Sequence, residues 1–348
     1  MRPISRRDFL KLGALALGGL AFTPFLPEIT EFEDVNLVRV ATKSVSVYQG
    51  PTDQSLIVGT WNRDELVNMY AEITADEPKY NPVWYRVWGG YMHRARLQRV
   101  KVLYNKPVTA IPEKGQLAEV SVPYTQSYRY SPYDGWQTTY RLYYGSVHWI
   151  VAVEPGPDGQ PWYRILDELD ESTYHAPAIH LRPVSPDEIA PISPDVPLEK
   201  KRIEVALNTQ TLNCYESDQV VFQTNISSGI AELSGAGNTP TNTPVGNYNI
   251  IVKMPSKHMG EANLAAGIDD YVFPGVPWCS FFTDEGHAFH GTYWHDNFGV
   301  PMSHGCVNMR MADAKWLFRW TLPSAGFDEI NKQTLDRKGY GTPVKITL

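Results

Sequence analysis

The sequence predicts a mostly β protein: two small N-terminal β-barrel modules followed by a C-terminal β domain with one or two short helices. Three observations predict this class. Short segments of alternating apolar and polar residues recur along the chain, as in half-buried strands. The 348 residues include 10 Trp and 20 Tyr, and such an aromatic content favours β structure. Beyond residue 27, only Met311 to Thr321 is strongly helical in pattern, since its apolar positions repeat at three and four.

Composition and charge exclude several classes of protein. Hydrophobic residues make up 43% and charged residues 20%, which is typical of a globular protein and not of a disordered chain. No apolar run reaches the roughly 20 residues that a spanning helix needs, so a bundle of such helices is excluded. The net charge of −7 argues against nucleic acid as a partner, because phosphate backbones require a basic surface. With three cysteines, a disulfide-stapled small domain is excluded too.

Residues 1–27 are typical of an export signal. Arg6 and Arg7 precede an uncharged apolar stretch that runs from Leu12 to Pro27. Paired arginines followed by Phe-Leu-Lys resemble the twin-arginine signal of proteins that are exported folded. We therefore expect an extracytoplasmic protein, in the cell wall or periplasm, and any membrane attachment through this segment alone. An amphipathic or buried helix is the structural alternative, and the sequence leaves cleavage or retention as an anchor open.

Residues 35–105 and 112–184 are predicted to be two copies of one small β module. Pro82–Val87 (PVWYRV) is echoed by Gln160–Ile165 (QPWYRI), and a spacing of roughly 80 residues is too long for a solenoid repeat. The Trp-Tyr-Arg pattern followed by a tyrosine resembles bacterial Src-homology-3-like domains, which often accompany cell-wall enzymes. We expect the two tryptophans of the echo to pack inside the modules rather than to bind a ligand.

Residues 185–198 are predicted to be a linker. Five prolines occur between Pro183 and Pro197, which favours a semi-rigid extended segment. The sequence therefore places a domain boundary here and a separate domain at residues 199–348. A linker with few contacts would allow that domain to fold alone.

The C-terminal domain carries a candidate nucleophile, Cys306. It lies in Ser303–Asn308 (SHGCVN), and His290 stands sixteen residues upstream. A neighbouring imidazole can take the proton of a thiol, and backbone N–H groups of a glycine-containing turn can hold an oxyanion. The residues alone leave three interpretations open: a nucleophile, a buried structural cysteine or a metal ligand.

The motif as a whole resembles the signature of the L,D-transpeptidase catalytic domain. Three further segments are similar to that family: Ser228-Gly229 at a strand end, the turn Thr243–Tyr248 (TPVGNY), and the closing strand Gly341–Ile346 (GTPVKI). The resemblance covers residues 199–348. It implies an L,D-transpeptidase-type β-sandwich whose active site lies under a flap.

The resemblance also implies roles for individual residues. Cys306 would be the nucleophile and His290 the general base and acid, with the carbonyl of Gly291 orienting the imidazole. His304 and Ser303 would line the site, and the N–H groups of Gly305 and Cys306 would hold the oxyanion.

Two further positions are less determined. Asn308 stands where many relatives carry arginine. This difference leaves the details of substrate recognition open but does not affect the expected chemistry. Tyr293 either lines the flap or acceptor side or simply packs.

The implied reaction is acyl transfer on peptidoglycan stem peptides by a cysteine-dependent enzyme without cofactor or metal, working as a monomer. Cys306 would form a thioester with a tetrapeptide stem, release D-Ala, and pass the acyl group to an amine to give a 3→3 cross-link. Such enzymes are carbapenem-sensitive. Water as the acceptor would give an L,D-carboxypeptidase instead. A wall-binding protein with a weakened site is the alternative outside catalysis, and a papain-like peptidase would need its histidine downstream of the cysteine.

The remaining histidines and cysteines have less specific interpretations. His287, His290, His295 and His304 lack the spacing of a zinc site. Cys214 and Cys279 fall in predicted strands, where they are either buried free thiols or a disulfide pair.

Overall fold

The computed structural model describes residues 36–230, 241–260, 272–324 and 341–348, together with the backbone of Leu335–Asp336. The predicted export signal, residues 1–27, lies outside the described residues. In the part that is described, no helix has the length and apolar character to cross a membrane.

The first module consists of eight short strands, and its valine-rich alternating segments are strands as predicted. They are β1 Leu37–Val40, β2 Ser44–Tyr48, β3 Ile57–Asn62, β4 Leu66–Asn68, β5 Ala71–Thr74, β6 Val83–Val87, β7 Gly90–His93 and β8 Leu97–Val100. They form two open sheets, of orders β4-β1-β8 and β3-β2-β7-β6-β5. Val38, Tyr85 and Met92 belong to one core that both sheets share. The first module is therefore two open sheets packed on one core, and its interpretation as a small barrel stays a prediction.

The second module is one seven-stranded sheet of order β11-β10-β14-β13-β12-β9-β15. Its strands are β9 Gln116–Val120, β10 Tyr124–Ser131, β11 Gly135–Tyr143, β12 Val147–Pro155, β13 Pro161–Leu166, β14 Thr173–Pro177 and β15 Leu181–Pro183.

The internal echo of the sequence has a structural counterpart. In each module the Trp-Tyr-Arg strand, β6 or β13, is followed by a second strand, a 3-10 turn (Arg94–Arg96 or Ala178–His180) and a last strand. Trp84 is 1% and Trp162 5% exposed, so both indoles pack inside as predicted.

The C-terminal domain is a sandwich of two five-stranded sheets, of orders β18-β17-β16-β25-β19 and β23-β22-β21-β20-β24. Its elements are β16 Lys201–Ala206, β17 Thr211–Glu216, β18 Gln219–Asn225, β19 Gly246–Asn249, β20 Val252–Gly260, β21 Val272–Phe281, β22 Ala288–Gly291, β23 Val307–Met309, α1 Met311–Trp320, β24 Leu335–Asp336 and β25 Pro343–Thr347. The pairs β16/β25 and β22/β23 are parallel. The mostly β fold class is therefore confirmed.

Helix α1 packs against the sheet that carries the candidate site. Ala314, Leu317 and Phe318 recur at three and four and are buried, as the sequence predicts. Two buried lysines stabilise the C-terminal end of the helix, since Lys201 Nζ donates to Trp320 O and Lys253 Nζ to Thr321 O, each over 2.9 Å. Burial lowers the pKa of Lys253 to about 7.

Residues 185–198 do not form a separate extended linker. Ser185 caps a 3-10 turn at Pro186–Glu188, and Ile189 is completely buried in the core of the C-terminal domain. Ile192 N–H donates to Arg319 O over 3.0 Å, which ties the segment to α1. The expectation of few contacts is wrong, because apolar residues between the prolines are drawn into the core.

The second module also packs directly on the C-terminal domain. Leu117, Val147 and Trp149 belong to the same buried cluster as the core of the sandwich. Polar contacts add to it: His258 Nδ1 lies 2.7 Å from Asp167 Oδ2, both buried, and Ser256 Oγ donates to Val147 O over 2.6 Å. These contacts hold the hairpin of β20 and β21 against the module.

Candidate active site

Two parallel strands form the frame of the candidate site: β22 carries the candidate base, and the candidate nucleophile precedes β23. In the pair β22/β23, His290 is opposite Asn308. Cys306 directly precedes β23, which begins at Val307, so the candidate nucleophile stands where the strand paired with β22 starts. The site therefore forms where β23 begins, and the cysteine does not stand at a helix start, as a papain-like site requires.

The turn before β23 is held by its own side chains. Ser303 Oγ donates to the carbonyl of Cys306 and accepts from Gly305 N–H over 3.2 Å. Thr243 Oγ1 donates to Gly305 O over 2.8 Å. The Gly305 N–H, which was expected to hold the oxyanion, thus already donates within the turn. Of the two expected oxyanion donors, this leaves the Cys306 N–H.

The strand end at residues 226–230 fixes this turn from the other sheet. Ser227 and Asn308 exchange two backbone hydrogen bonds of 2.9 Å, and Ile230 N–H donates to Ser303 O over 3.0 Å. A Cβ on Gly229 would lie 2.1 Å from Thr241 O and 2.9 Å from Gly305 Cα. Only glycine allows this close approach, which gives a physical reason for the Ser-Gly pair.

The Cys306 thiol is partly exposed and largely surrounded by protein atoms. Its Sγ lies 3.7 Å from Gly286 O, to which the thiol donates. Burial raises the pKa of Cys306 to about 11, and the backbone N–H of Ala288 opposes this rise. At neutral pH the sulfur is therefore protonated until a base removes its proton.

His290 is oriented by a backbone carbonyl. Its Nδ1 lies 3.0 Å from Gly291 O. Since a carbonyl only accepts, Nδ1 carries the proton and Nε2 keeps a lone pair. Burial lowers the pKa of His290 to about 4, so the ring is neutral at pH 7. A neutral imidazole with a free nitrogen is the form that a general base requires.

The other predicted site residues differ in burial. His304 is exposed, whereas Asn308 is buried with its amide 2.9 Å from His295 Nε2. Tyr293 is 2% exposed, and its hydroxyl donates to Pro274 O over 3.1 Å. Of its two interpretations, packing is the one that the structure favours, since the side chain lies in a buried aromatic cluster.

Three contributors were not assigned to the site from the sequence. Gly286 and Ala288 contact the thiol through their backbone, and the His287 ring lies 3.0 Å from where a Cβ of Gly305 would be. The only sequence signal is the Glu-Gly-His turn between two predicted strands. It shows a tight connection but not what the connection faces.

The histidines and the other cysteines have separate environments. Among the described residues, no group of three His, Cys, Asp or Glu side chains is placed to hold a metal ion. Cys214 and Cys279 are free and completely buried, and burial raises the pKa of both thiols well above the usual value. Of the two interpretations, free thiols are what the structure has.

Comparison with known proteins finds a family model that matches the C-terminal part of the chain. Residues 200–346 match the family model YkuD, the L,D-transpeptidase catalytic domain. No curated protein sequence is significantly similar to the chain.

Solved structures of L,D-transpeptidases are similar to part of the chain. The Mycobacterium smegmatis enzyme is 18% identical over 43% of this chain and 59% of its own, with a TM-score of 0.31. The Xylanimonas cellulosilytica enzyme is 23% identical over 42% of this chain and 60% of its own, with a TM-score of 0.29. The Enterococcus faecium enzyme is 24% identical over 43% of this chain and 50% of its own, with a TM-score of 0.31. The chain thus spans half to three fifths of the length of these relatives.

Proposed function

We propose, from the premise that residues 200–346 are an L,D-transpeptidase catalytic domain, that the protein is a cysteine-dependent acyltransferase of peptidoglycan stem peptides. The observation that supports this most is the arrangement around Cys306. Cys306 is partly exposed and directly precedes β23, the strand paired with β22, and on β22 the His290 Nδ1 is held by Gly291 O, 3.0 Å away.

In the first half-reaction the sulfur attacks the amide that joins the third stem residue to D-Ala. His290 Nε2 takes the thiol proton as the S–C bond forms, and the carbonyl oxygen becomes an oxyanion near the Cys306 N–H. The imidazolium then gives this proton to the leaving nitrogen. D-Ala departs as a neutral amine, and a thioester on Cys306 remains.

In the second half-reaction an amine of another stem attacks the thioester. His290 removes a proton from that amine and returns it to the sulfur when the C–S bond breaks. The product is a 3→3 cross-link, and the enzyme is restored. Water in place of the amine gives the shortened stem instead.

Incubation of the full chain with a purified tetrapeptide dimer, followed by mass analysis of the products, tests this proposal. We expect cross-linked product and free D-Ala from the wild type and neither from the Cys306→Ala variant, which retains the fold because only one sulfur is removed. Covalent capture of a carbapenem on intact protein should also require Cys306. Turnover or capture by the Cys306→Ala variant would contradict the assignment, and a shortened stem without cross-links would favour the carboxypeptidase.

We also propose that the protein acts outside the cytoplasm. The paired arginines at residues 6 and 7 and the apolar stretch behind them support this. Cell fractionation tests it: replacing both arginines by lysine should leave the protein inside, and an unchanged distribution would contradict the assignment.

A further inference from the structure

The segment that follows the candidate base, residues 293–298, lies between two parts of the molecule. On one side it contacts the first module. Asp296 N–H donates to Leu97 O over 2.9 Å, and the Asp296 carboxylate accepts from Arg99 N–H. Arg94 donates to Asn297 Oδ1 over 3.3 Å and to Phe298 O over 3.2 Å. The first module thus contacts most of the segment.

Arg39, on strand β1 of the first module, makes the most deeply buried of these contacts. The side chain is 2% exposed, and its Nη2 donates to Tyr293 O over 2.7 Å. Its Nη1 donates to Asp64 Oδ1 over 2.7 Å, and Nε and Nη2 both donate to Gln98 Oε1. The guanidinium also lies 4.1 Å from the centre of the Tyr143 ring, which belongs to the second module. Arg39 therefore joins all three parts of the protein.

A planar guanidinium in such surroundings has little freedom. Its donors point in fixed directions, and a buried charge retains its hydrogen bonds because losing them is costly. The position of the Tyr293 carbonyl is therefore set by the first module.

The other side of the 293–298 segment faces the active site. The Trp294 ring lies 5.7 Å from the His290 ring. His295 Nε2 lies 2.9 Å from the Asn308 amide, and Asn297 N–H donates to His295 Nδ1 over 3.1 Å. Asn308 in turn is two residues from Cys306. A displacement of the segment would therefore be transmitted to the base and to β23, the strand that directly follows the nucleophile.

We propose that Arg39 is a positioning residue for acyl transfer, through which the N-terminal module sets the geometry of His290 and Asn308. The inference rests on the proposed function for the identity of the reaction. It assigns the first module a second role besides any binding, since this module forms part of the support of the active site. Small displacements matter here because proton transfer requires near-ideal placement.

The test compares Arg39→Lys with Arg141→Lys in the full chain. Arg141 is a matched control: it also pairs with Asp64, over 2.6 Å, it also lies between the two modules, and its partners Asp64 and Tyr124 are outside the 293–298 segment. Lysine retains the charge in both variants but cannot reach several acceptors at once. We expect Arg39→Lys to lower the maximal rate of carbapenem acylation at least about tenfold while the apparent affinity stays within about twofold. Arg141→Lys should leave both within about twofold.

Amide hydrogen exchange supplies a readout that does not depend on the reaction. Arg39→Lys should speed exchange in residues 293–298 and 307–309, and Arg141→Lys should not. Equal acylation rates in the two variants would overturn the inference. A wild type that fails to acylate would contradict the proposed function, while the exchange data would still decide whether Arg39 holds the segment.

A second variant covers the case in which Arg39→Lys does not fold. Arg94 is only half-buried, and Arg94→Ala removes the donors to Asn297 and Phe298. We expect the same fall in maximal rate with unchanged affinity. A folded Arg94→Ala protein with wild-type acylation would count against positioning by the first module.

Discussion

The Cys306 thiol and the His290 imidazole are both neutral at pH 7, because burial moves their pKa values apart. The pKa of Cys306 rises to about 11 and that of His290 falls to about 4. An ion pair of thiolate and imidazolium is therefore not the resting state. The thiol loses its proton only as the sulfur attacks, so the thiolate forms when a carbonyl substrate is bound.

This neutral resting pair predicts the pH dependence of thiol alkylation. The thiolate fraction below the pKa grows about tenfold per pH unit, so the rate of Cys306 modification by iodoacetamide should keep rising from pH 7 to 10. Peptide mass spectrometry of the modified fraction measures it. A rate that levels off near pH 7 would indicate a preformed thiolate instead.

His290 and His304 are expected to differ in their effect on acylation. His290→Ala removes the candidate base and should slow acylation by about 10²–10⁴-fold, the usual contribution of a general base. His304→Ala should slow it less, since this side chain is exposed. Stopped-flow acylation rates of the two folded variants decide the order, and the reverse order would assign the base to His304.

At the scale of secondary-structure elements, the segment between the second module and β16 behaves as part of the core. Ile189 is completely buried, and Lys315 of α1 pairs with Glu188 over 2.7 Å. The prolines determine the path of the segment, while the residues between them anchor it to the core and to α1.

Ile189→Ala should therefore destabilise the protein by about 2–5 kcal/mol, as for other large-to-small changes in a core. Ile179→Ala is the control, since Ile179 is 39% exposed, and its cost should stay within about 0.5 kcal/mol. Denaturant unfolding measures both. Equal costs would show that the segment is only loosely attached.

Elements with one buried face were predictable from the sequence, whereas β20 was not. Alternation predicts β16, because this strand buries every second residue against an apolar core. In β20 the buried residues include Lys253, Ser256 and His258, whose partners are carbonyls and a carboxylate on other elements. A polar residue that is buried by a distant partner leaves no periodic signal.

The same distinction applies to the candidate site. A local motif marks Cys306 and His290, and for this reason the sequence alone identifies them as candidates. Contacts made across space, such as Gly286 to the thiol or Tyr293 to Pro274, depend on how loops fold back and were missed or left open.

At the scale of the whole molecule, the described part of Val35–Leu348 shares its cores across the predicted boundaries. Val147 and Trp149 of the second module lie in one cluster with Phe289 and Val307 of the sandwich. Apolar area that is buried between the second module and the sandwich stabilises both of them, and either one would expose this area if the other were removed.

The domain at residues 198–348, expected from sequence to be independent, should therefore be less stable than residues 36–348. We expect the shorter chain to melt at a lower temperature and to bind the dye ANS, because the face that contacts the second module becomes exposed. Circular dichroism melts and dye fluorescence of the two chains measure this. Identical melting and no dye binding would show that the interface contributes little.

The burial of Cys214 and Cys279 has a consequence for handling and chemistry. With two of its three thiols buried, the native chain should react as a single-cysteine protein. Ellman's reagent should titrate one equivalent before denaturation and three after it. A maleimide dye or an affinity tag would then label the native protein at Cys306 alone. The other cysteines would not have to be mutated first, and no mixture of differently labelled products would have to be separated.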